Sequence, residues 1–141
     1  MHLTKNNLTI SCLLFCFLGF LDATYLTILH FKDAFPPCTL QGCEKVLTST
    51  YSVIYGVPVS LLGSLFFAIA MALSLAFYLN RKKIFAQGLF FSSIGGLFVS
   101  AILFFIQLLI IKSFCQYCLF SELMTILIFA SSSLLYSQFS K

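Results

Sequence analysis

The chain has 141 residues, 60% hydrophobic, 17% aromatic and only 9% charged, with a formal net charge of +4. A water-soluble domain carries roughly a quarter charged residues, so these few charges exclude a soluble globular surface. The positive balance comes with no basic face interleaved with aromatics, so no nucleic-acid partner is expected; the charges instead report topology in a membrane.

Four apolar stretches, residues 8–31, 57–79, 88–111 and 114–136, are long enough to cross a bilayer, whose hydrocarbon core needs about 20 helical residues. The expected fold is all-α and integral to the membrane: a four-transmembrane-helix bundle, one domain over residues 1–141, with no internal repeat or linker. The first stretch follows Lys5 as a leader peptide would, but its apolar run resumes after Asp22 and has no A-x-A-like site, so it reads as a span. An even number of spans puts both termini on one side. Lys5, Arg81, Lys82, Lys83 and Lys141 fall on that side, and Lys32, Lys45 and Lys112 on the other. By the positive-inside rule the termini are cytoplasmic and the 1–2 and 3–4 loops face outward, as expected of a bacterial inner-membrane protein.

Along helix 1, Cys12 and Cys16 lie four residues apart near the inner end and read as small apolar core residues. Asp22 sits near mid-span, where a carboxylate costs about 2.5–3.5 kcal/mol on insertion scales. It must face the bundle and find a partner: Thr24, Tyr25 or a polar group on another helix. His30 at the outer end reads as an interfacial histidine.

The outer 1–2 loop opens with Pro36-Pro37-Cys38-Thr39-Leu40-Gln41-Gly42-Cys43. The prolines end helix 1 and Gly42 permits a tight turn, so Cys38 and Cys43 suit a disulfide closing a small ring. Residues 44–51 suggest a short amphipathic helix lying flat over the bundle, with Val46, Leu47 and Tyr51 on one side. Thr48 and Ser49 then either bring hydroxyls over the bundle or solvate the lid's outer side.

Helix 2 opens with Pro58 in a first turn, where proline loses no needed hydrogen bond, and closes at Asn80 and the basic cluster. Helix 3 carries Ser92, Ser93, Gly95, Gly96 and Ser100, small residues that let helices approach closely in lipid. Helix 4 begins with Cys115-Gln116-Tyr117-Cys118 and carries Glu122 one turn below. Two thiols three apart on a helix share a face, and a cysteine at a helix N-terminus gains thiolate character from the helix dipole. Glu122, a carboxylate within a span, is a functional candidate, with a structural ion-pairing role as the alternative.

Two cysteine pairs on one face of a small bundle permit thiol–disulfide exchange. The loop pair can meet a soluble thiol, and the fixed pair must then lose its electrons. With no His cluster, haem motif or flavin motif in view, a membrane quinone is the economical two-electron acceptor. Four thiolates binding zinc is the metal alternative; the usual paired C-x-x-C spacing is missing, and no metal is expected. A non-catalytic tetraspan protein with structural disulfides is the alternative outside enzymology.

Cys38…Cys43-Glu44-Lys45-Val46-Leu47-Thr48-Ser49, Tyr55-Gly56-Val57-Pro58-Val59-Ser60-Leu61-Leu62-Gly63 and Cys115-Gln116-Tyr117-Cys118 together resemble the vitamin K epoxide reductase family, bacterial disulfide-forming branch. Helix 1, with Gly19, Asp22 and Tyr25-Leu26-Thr27, is similar to it as well. The resemblance implies a four-helix bundle around a quinone. It implies that Cys38 exchanges with the thiol partner, Cys43 passes the disulfide to and from Cys115, and Cys118 reacts with the quinone. Ser49 matches the family's loop Ser or Thr near that site. Glu122 stands where vertebrate members use Tyr, and Val59 lies nearest the position of their quinone-contacting Asn, which points to ubiquinone or menaquinone rather than vitamin K epoxide. Some bacterial members carry a fused thioredoxin-like domain; these residues include none, so the expected partner is a separate exported thioredoxin-fold protein. The expected activity is a quinone-dependent protein-disulfide oxidoreductase that oxidises that partner.

Overall fold

The computed structural model describes residues 2–39 and 42–140, with side chains from Thr4 onward. Leu40 and Gln41 of the loop motif and Lys141 of the basic set lie outside the described residues.

Long apolar runs without proline favour continuous helix, because a helix satisfies its own backbone polar groups where no water can. Four helices are long and apolar enough to cross a membrane: α1 (His2–Phe31), α3 (Val59–Asn80), α4 (Lys83–Phe105) and α5 (Gln116–Ser140). A short α2 (Cys43–Leu47) lies in the loop after α1. The chain is an all-α, multi-pass membrane bundle. Helix α1 packs against α3 and α5, and α4 closes the ring by packing against α3 and α5. Lys5 lies over the ring of Phe139 at 4.6 Å, and the Arg81 guanidinium donates to Asn6. The start of α1, the α3–α4 turn and the end of α5 therefore share one end of the bundle, here called the basic end. The cysteine-bearing loop is at the other.

The faces turned outward from the bundle carry Leu, Ile and Phe in quantity, among them Leu14, Leu65, Phe98 and Ile126. Such a surface would be a liability in water; against acyl chains it costs nothing. Inside, Cys12, Cys16, Ala23, Ala70 and Ala86 pack with Phe67, Phe77, Leu89, Ile128 and Leu135. A Cβ on Gly96 would collide with the ring of Phe66, which makes this glycine a packing site, as expected for small residues in lipid. Hydroxyl pairs tie the helices together: Thr24 with Ser64 at 2.8 Å, Thr27 with Ser60 at 3.1 Å, and Ser93 with Ser132 at 2.9 Å. Each such interhelical bond is worth about 0.6 kcal/mol on average in a membrane.

Element ends differ from expectation at several points. The second span begins at Val59, because β1 (Val53–Ile54) and β2 (Val57–Pro58) pair antiparallel around a Tyr55-Gly56 turn. Both turn residues have positive φ, 50° and 81°, the backbone that two-residue hairpins require. The third span starts earlier, at Lys83, and runs beyond α4 into π-helical turns over Ile106–Ile111. The fourth begins at Gln116, so Cys115 precedes the helix, and it extends to Ser140. The lid helix is shorter than residues 44–51. The Thr48 and Ser49 hydroxyls donate back to the carbonyls of Glu44 and Val46, at 2.7 and 2.8 Å, competing with helix continuation. A 3₁₀ turn (Thr50–Ser52) follows. Tyr51 is consequently outside the helix and exposed, though it lines the same cavity as Val46 and Leu47.

Candidate functional site

The loop after α1 folds back onto the start of α5. Cys38 and Cys43 are joined by a disulfide with Cα atoms 6.2 Å apart. Gly42 lies against the backbone of Phe114, and a Cβ there would strike the Phe114 carbonyl oxygen. The absence of a side chain is what lets the loop seat so low. The two residues between the cysteines of the C-x-x-C hold the loop on either side of Cys38. Gln116 Oε1 accepts from the Thr39 backbone N–H at 3.3 Å and from its hydroxyl. The Tyr117 hydroxyl donates to the Pro37 carbonyl at 2.9 Å, and its ring lies 5.8 Å from that of Tyr25.

This seating brings the pairs together. Cys43 (1% exposed), Val46 and Cys115 (0%) form a separate buried cluster, with Cys38, Leu47, Ile111, Tyr117 and Cys118 packed around it. Cys38 is the part-exposed member of the loop pair.

Cys115 stands at the N-cap position of α5: its carbonyl accepts the Leu119 N–H at 2.9 Å. Its Sγ accepts the Cys118 backbone N–H at 3.4 Å, the bond that a capping Ser or Asp oxygen would make. Hydrogen bonding from the Cys118 thiol holds the Cys115 thiol below its ordinary value. Burial opposes this, while the backbone N–H groups of Cys118 and Tyr117 reinforce it. Both the cap geometry and these donors favour the thiolate form of the first sulfur of the motif.

Cys118 is on the wall of a cavity of about 1410 Å³, large for a small-molecule site, since such pockets run about 300–1,000 Å³. Its walls are mainly apolar, from α1, α3, α4 and the lid, and it reaches Gly95 and Gly96 of α4. Ser49, Val59, Gln107, Ser121 and Glu122 also line it. Ser49 therefore faces the bundle, its hydroxyl satisfied by Val46. His30 and Asp33 stand on the same lining. Asp22 accepts from the Ser121 hydroxyl of α5, so its partner is a polar group on another helix. Glu122 accepts from Gln107 Nε2 at 3.0 Å, and Gln107 Oε1 accepts from the Cys115 N–H at 3.1 Å.

Cys38, Cys43, Cys115, Cys118, Ser49 and Glu122 are thus brought to one end of the bundle. Cys12 and Cys16 are left in the main core, apart from them. Gln107 was missed by sequence reasoning. Its signal was available: a lone amide in Phe104-Phe105-Ile106-Gln107-Leu108-Leu109 is a polar group inside a span, and such groups face the interior. Among the described residues, no three His, Cys, Asp or Glu side chains converge at metal-ligand spacing.

A loop disulfide seated over a C-x-x-C at a membrane helix start places this chain among membrane proteins with paired cysteine motifs. Residues 10–133 match the vitamin K epoxide reductase family, and the chain belongs to it. It is 33% identical over 122 residues to the thiol-disulfide oxidoreductase LTO1 of Arabidopsis thaliana. The match covers 77% of this chain and 31% of that protein, so the chain spans about a third of its relative's length.

Proposed function

We propose that this chain is a thiol–disulfide oxidoreductase that oxidises an exported thioredoxin-fold dithiol and passes the electrons to a membrane quinone. The observation that carries the reading is the graded placement of the four sulfurs. Cys38 is part-exposed, Cys43 and Cys115 are buried in one cluster with Val46, and Cys118 is on the cavity.

The exchange steps follow that grading. A partner thiolate attacks the Cys38 sulfur; the Cys38–Cys43 bond breaks and Cys43 leaves as thiolate. The partner's second thiol resolves the mixed disulfide, leaving the partner oxidised and both loop cysteines reduced. Cys43 attacks Cys115 of an oxidised Cys115–Cys118 pair, and Cys118 leaves as thiolate. Cys38 then attacks Cys43, restoring the loop disulfide and leaving the two electrons on Cys115 and Cys118.

The cavity suits a quinone: its walls are apolar enough for a ring and tail, and Cys118, Ser49 and Glu122 are among the polar groups on its lining. Bound there, ubiquinone or menaquinone supplies an acceptor for two electrons and two protons. Cys118 presents its sulfur to that space, and Ser49 and Glu122 are the polar groups placed to orient a carbonyl-bearing ring. Glu122 lies one helical turn from Cys118, on the same face of α5, where its carboxyl can carry a proton from the thiol into the cavity. The Lys5, Arg81, Lys82 and Lys83 end supports a cytoplasmic placement of the basic end, with the exchange site outward. We read the whole bundle as one domain.

The test is quinone reduction by the purified full chain, driven by a reduced thioredoxin-fold protein. Wild type should reduce ubiquinone or menaquinone, and Cys118→Ala should not. Wild type inert with both quinones and several partners, its cysteines oxidised throughout, would leave a tetraspan protein with structural disulfides.

A further inference from the structure

Gln107 joins the backbone of Cys115 to the Glu122 carboxyl, and the exchange steps described above do not use it. It is 3% exposed and begins the second position of the π-helical turns Ile106–Ile111, a wide-turn geometry frequent at functional sites. Its backbone carbonyl accepts from the Lys112 N–H and from the Ser113 N–H at 3.2 Å. Lys112, with φ of 56°, then turns the chain out of the helix. The side-chain oxygen accepts from the Cys115 N–H. One residue therefore takes three backbone N–H groups of the short connection that delivers Cys115 to α5.

The orientation of the amide follows from its neighbours. A backbone N–H only donates, so the group facing Cys115 is the amide oxygen. The amide nitrogen then faces Glu122 Oε1, at 3.0 Å, and that oxygen must accept. The result is a continuous hydrogen-bonded bridge from the Glu122 carboxyl, which lines the cavity, to the backbone of Cys115, which touches the loop pair. Hydrogen bonds in series polarise one another in a low-dielectric interior. An apolar residue at position 107 would leave the buried Cys115 N–H without an acceptor.

We propose that Gln107 is a positioning residue that sets the reactivity of Cys115 toward Cys43 and couples it to the Glu122 carboxyl across the amide bridge. Its meaning in turnover rests on the relay proposed above, but its test does not. The groups facing Cys115 that titrate or carry charge are Cys118, Tyr117 and Glu122 on α5, Asp22 on α1 and Cys43 on α2.

The experiment uses the full chain with Cys38→Ala and Cys118→Ala, in which only Cys43 and Cys115 remain near the loop to crosslink. The reduced protein is treated with a small-molecule thiol oxidant, with no quinone present, and Cys43–Cys115 disulfide formation is timed across pH. Adding Gln107→Met should slow the crosslink about tenfold, the size of effect expected for orphaning a buried donor. Gln107→Glu keeps an acceptor for the Cys115 N–H but sets a second carboxyl against Glu122. It should restore the rate at low pH, where the facing carboxyls share a proton, and lose it as pH rises and both ionise. A merely structural role would slow the reaction equally at every pH in both variants, and that result overturns the proposal. So does an unchanged rate and profile in Gln107→Met. If the crosslink behaves as expected while the wild type reduces no quinone, the relay reading fails and the role of Gln107 stands.

Discussion

The bundle contains two closely spaced cysteine pairs, one inside a helix and one at a helix start. Cys12 and Cys16 lie within α1, whose N–H groups at those positions are committed to the helix's own carbonyls. Both are fully buried among apolar side chains. Cys115 and Cys118 lie at the first turn of α5, where backbone N–H groups have no helical acceptor and one of them donates to a sulfur instead. The same residue type is packed inside the core in one place and accepts a backbone N–H in the other, because the first turn of a helix leaves N–H groups without a helical acceptor and the helix middle does not. The largest expected effect tests this contrast directly. Cys115→Ala or Cys118→Ala should abolish partner-driven quinone reduction. Cys12→Ala with Cys16→Ala should leave turnover within about twofold and cost on the order of 1 kcal/mol in stability, from the small cavities left behind. Loss of turnover in the α1 variant, with its fold intact by circular dichroism, would break the comparison.

The helix-end pair carries a pH prediction of its own. The Cys115 thiol is held below the ordinary value of 9.0 by hydrogen bonding, with Cys118 foremost. A depressed value stabilises the reduced fold above the ordinary thiol range, and that contribution is lost as pH falls through the lowered value. In the Cys38→Ala, Cys118→Ala chain the Cys118 thiol is gone but the backbone N–H donors to the Cys115 sulfur remain, so Cys43–Cys115 crosslinking should persist only somewhat below the pH range of a free thiol. A profile that tracks a free cysteine would remove the capping argument.

A next smaller effect concerns delivery. Gly42→Ala places a methyl group against the Phe114 carbonyl, lifting the loop pair from Cys115. Turnover should fall by about 10²-fold, the scale of an ångström's misplacement near reacting atoms. The Cys38–Cys43 bond itself should still form, as judged by thiol labelling. Unchanged turnover would show that the loop does not need its present seat.

The spans, the shared side of the loop pair and the C-x-x-C, and the inward turn of Asp22 were legible because each follows from a local cost: unsatisfied backbone in lipid, or a carboxylate without a partner. The family motifs placed Ser49 and the four sulfurs. What escaped was set by tertiary contact. The hairpin at Tyr55-Gly56 carries no strong strand pattern in its flanks. The π-helical turns before Lys112 leave no mark on composition. Gln107 acquires its role only when α4 and α5 meet, so its lone polarity in an apolar run pointed inward without naming what it would touch.

The smallest expected effects come from the clamp that the middle of the C-x-x-C places on the loop. Tyr117→Phe removes the hydroxyl donated to Pro37, and Gln116→Ala removes the acceptor used twice by Thr39. These bonds are solvent-exposed, and each exchanges with water at a net cost of about 0.5–1.5 kcal/mol. Each variant alone should lower turnover only about two- to fivefold, with the loss in KM for the thiol partner rather than in kcat. The two bonds flank Cys38 on opposite sides and hold one loop, so their effects should not add. The double variant should show a coupling energy in a double-mutant cycle, as residues sharing one network do. Strict additivity would mean that Pro37 and Thr39 move independently, and that Gly42 alone seats the loop.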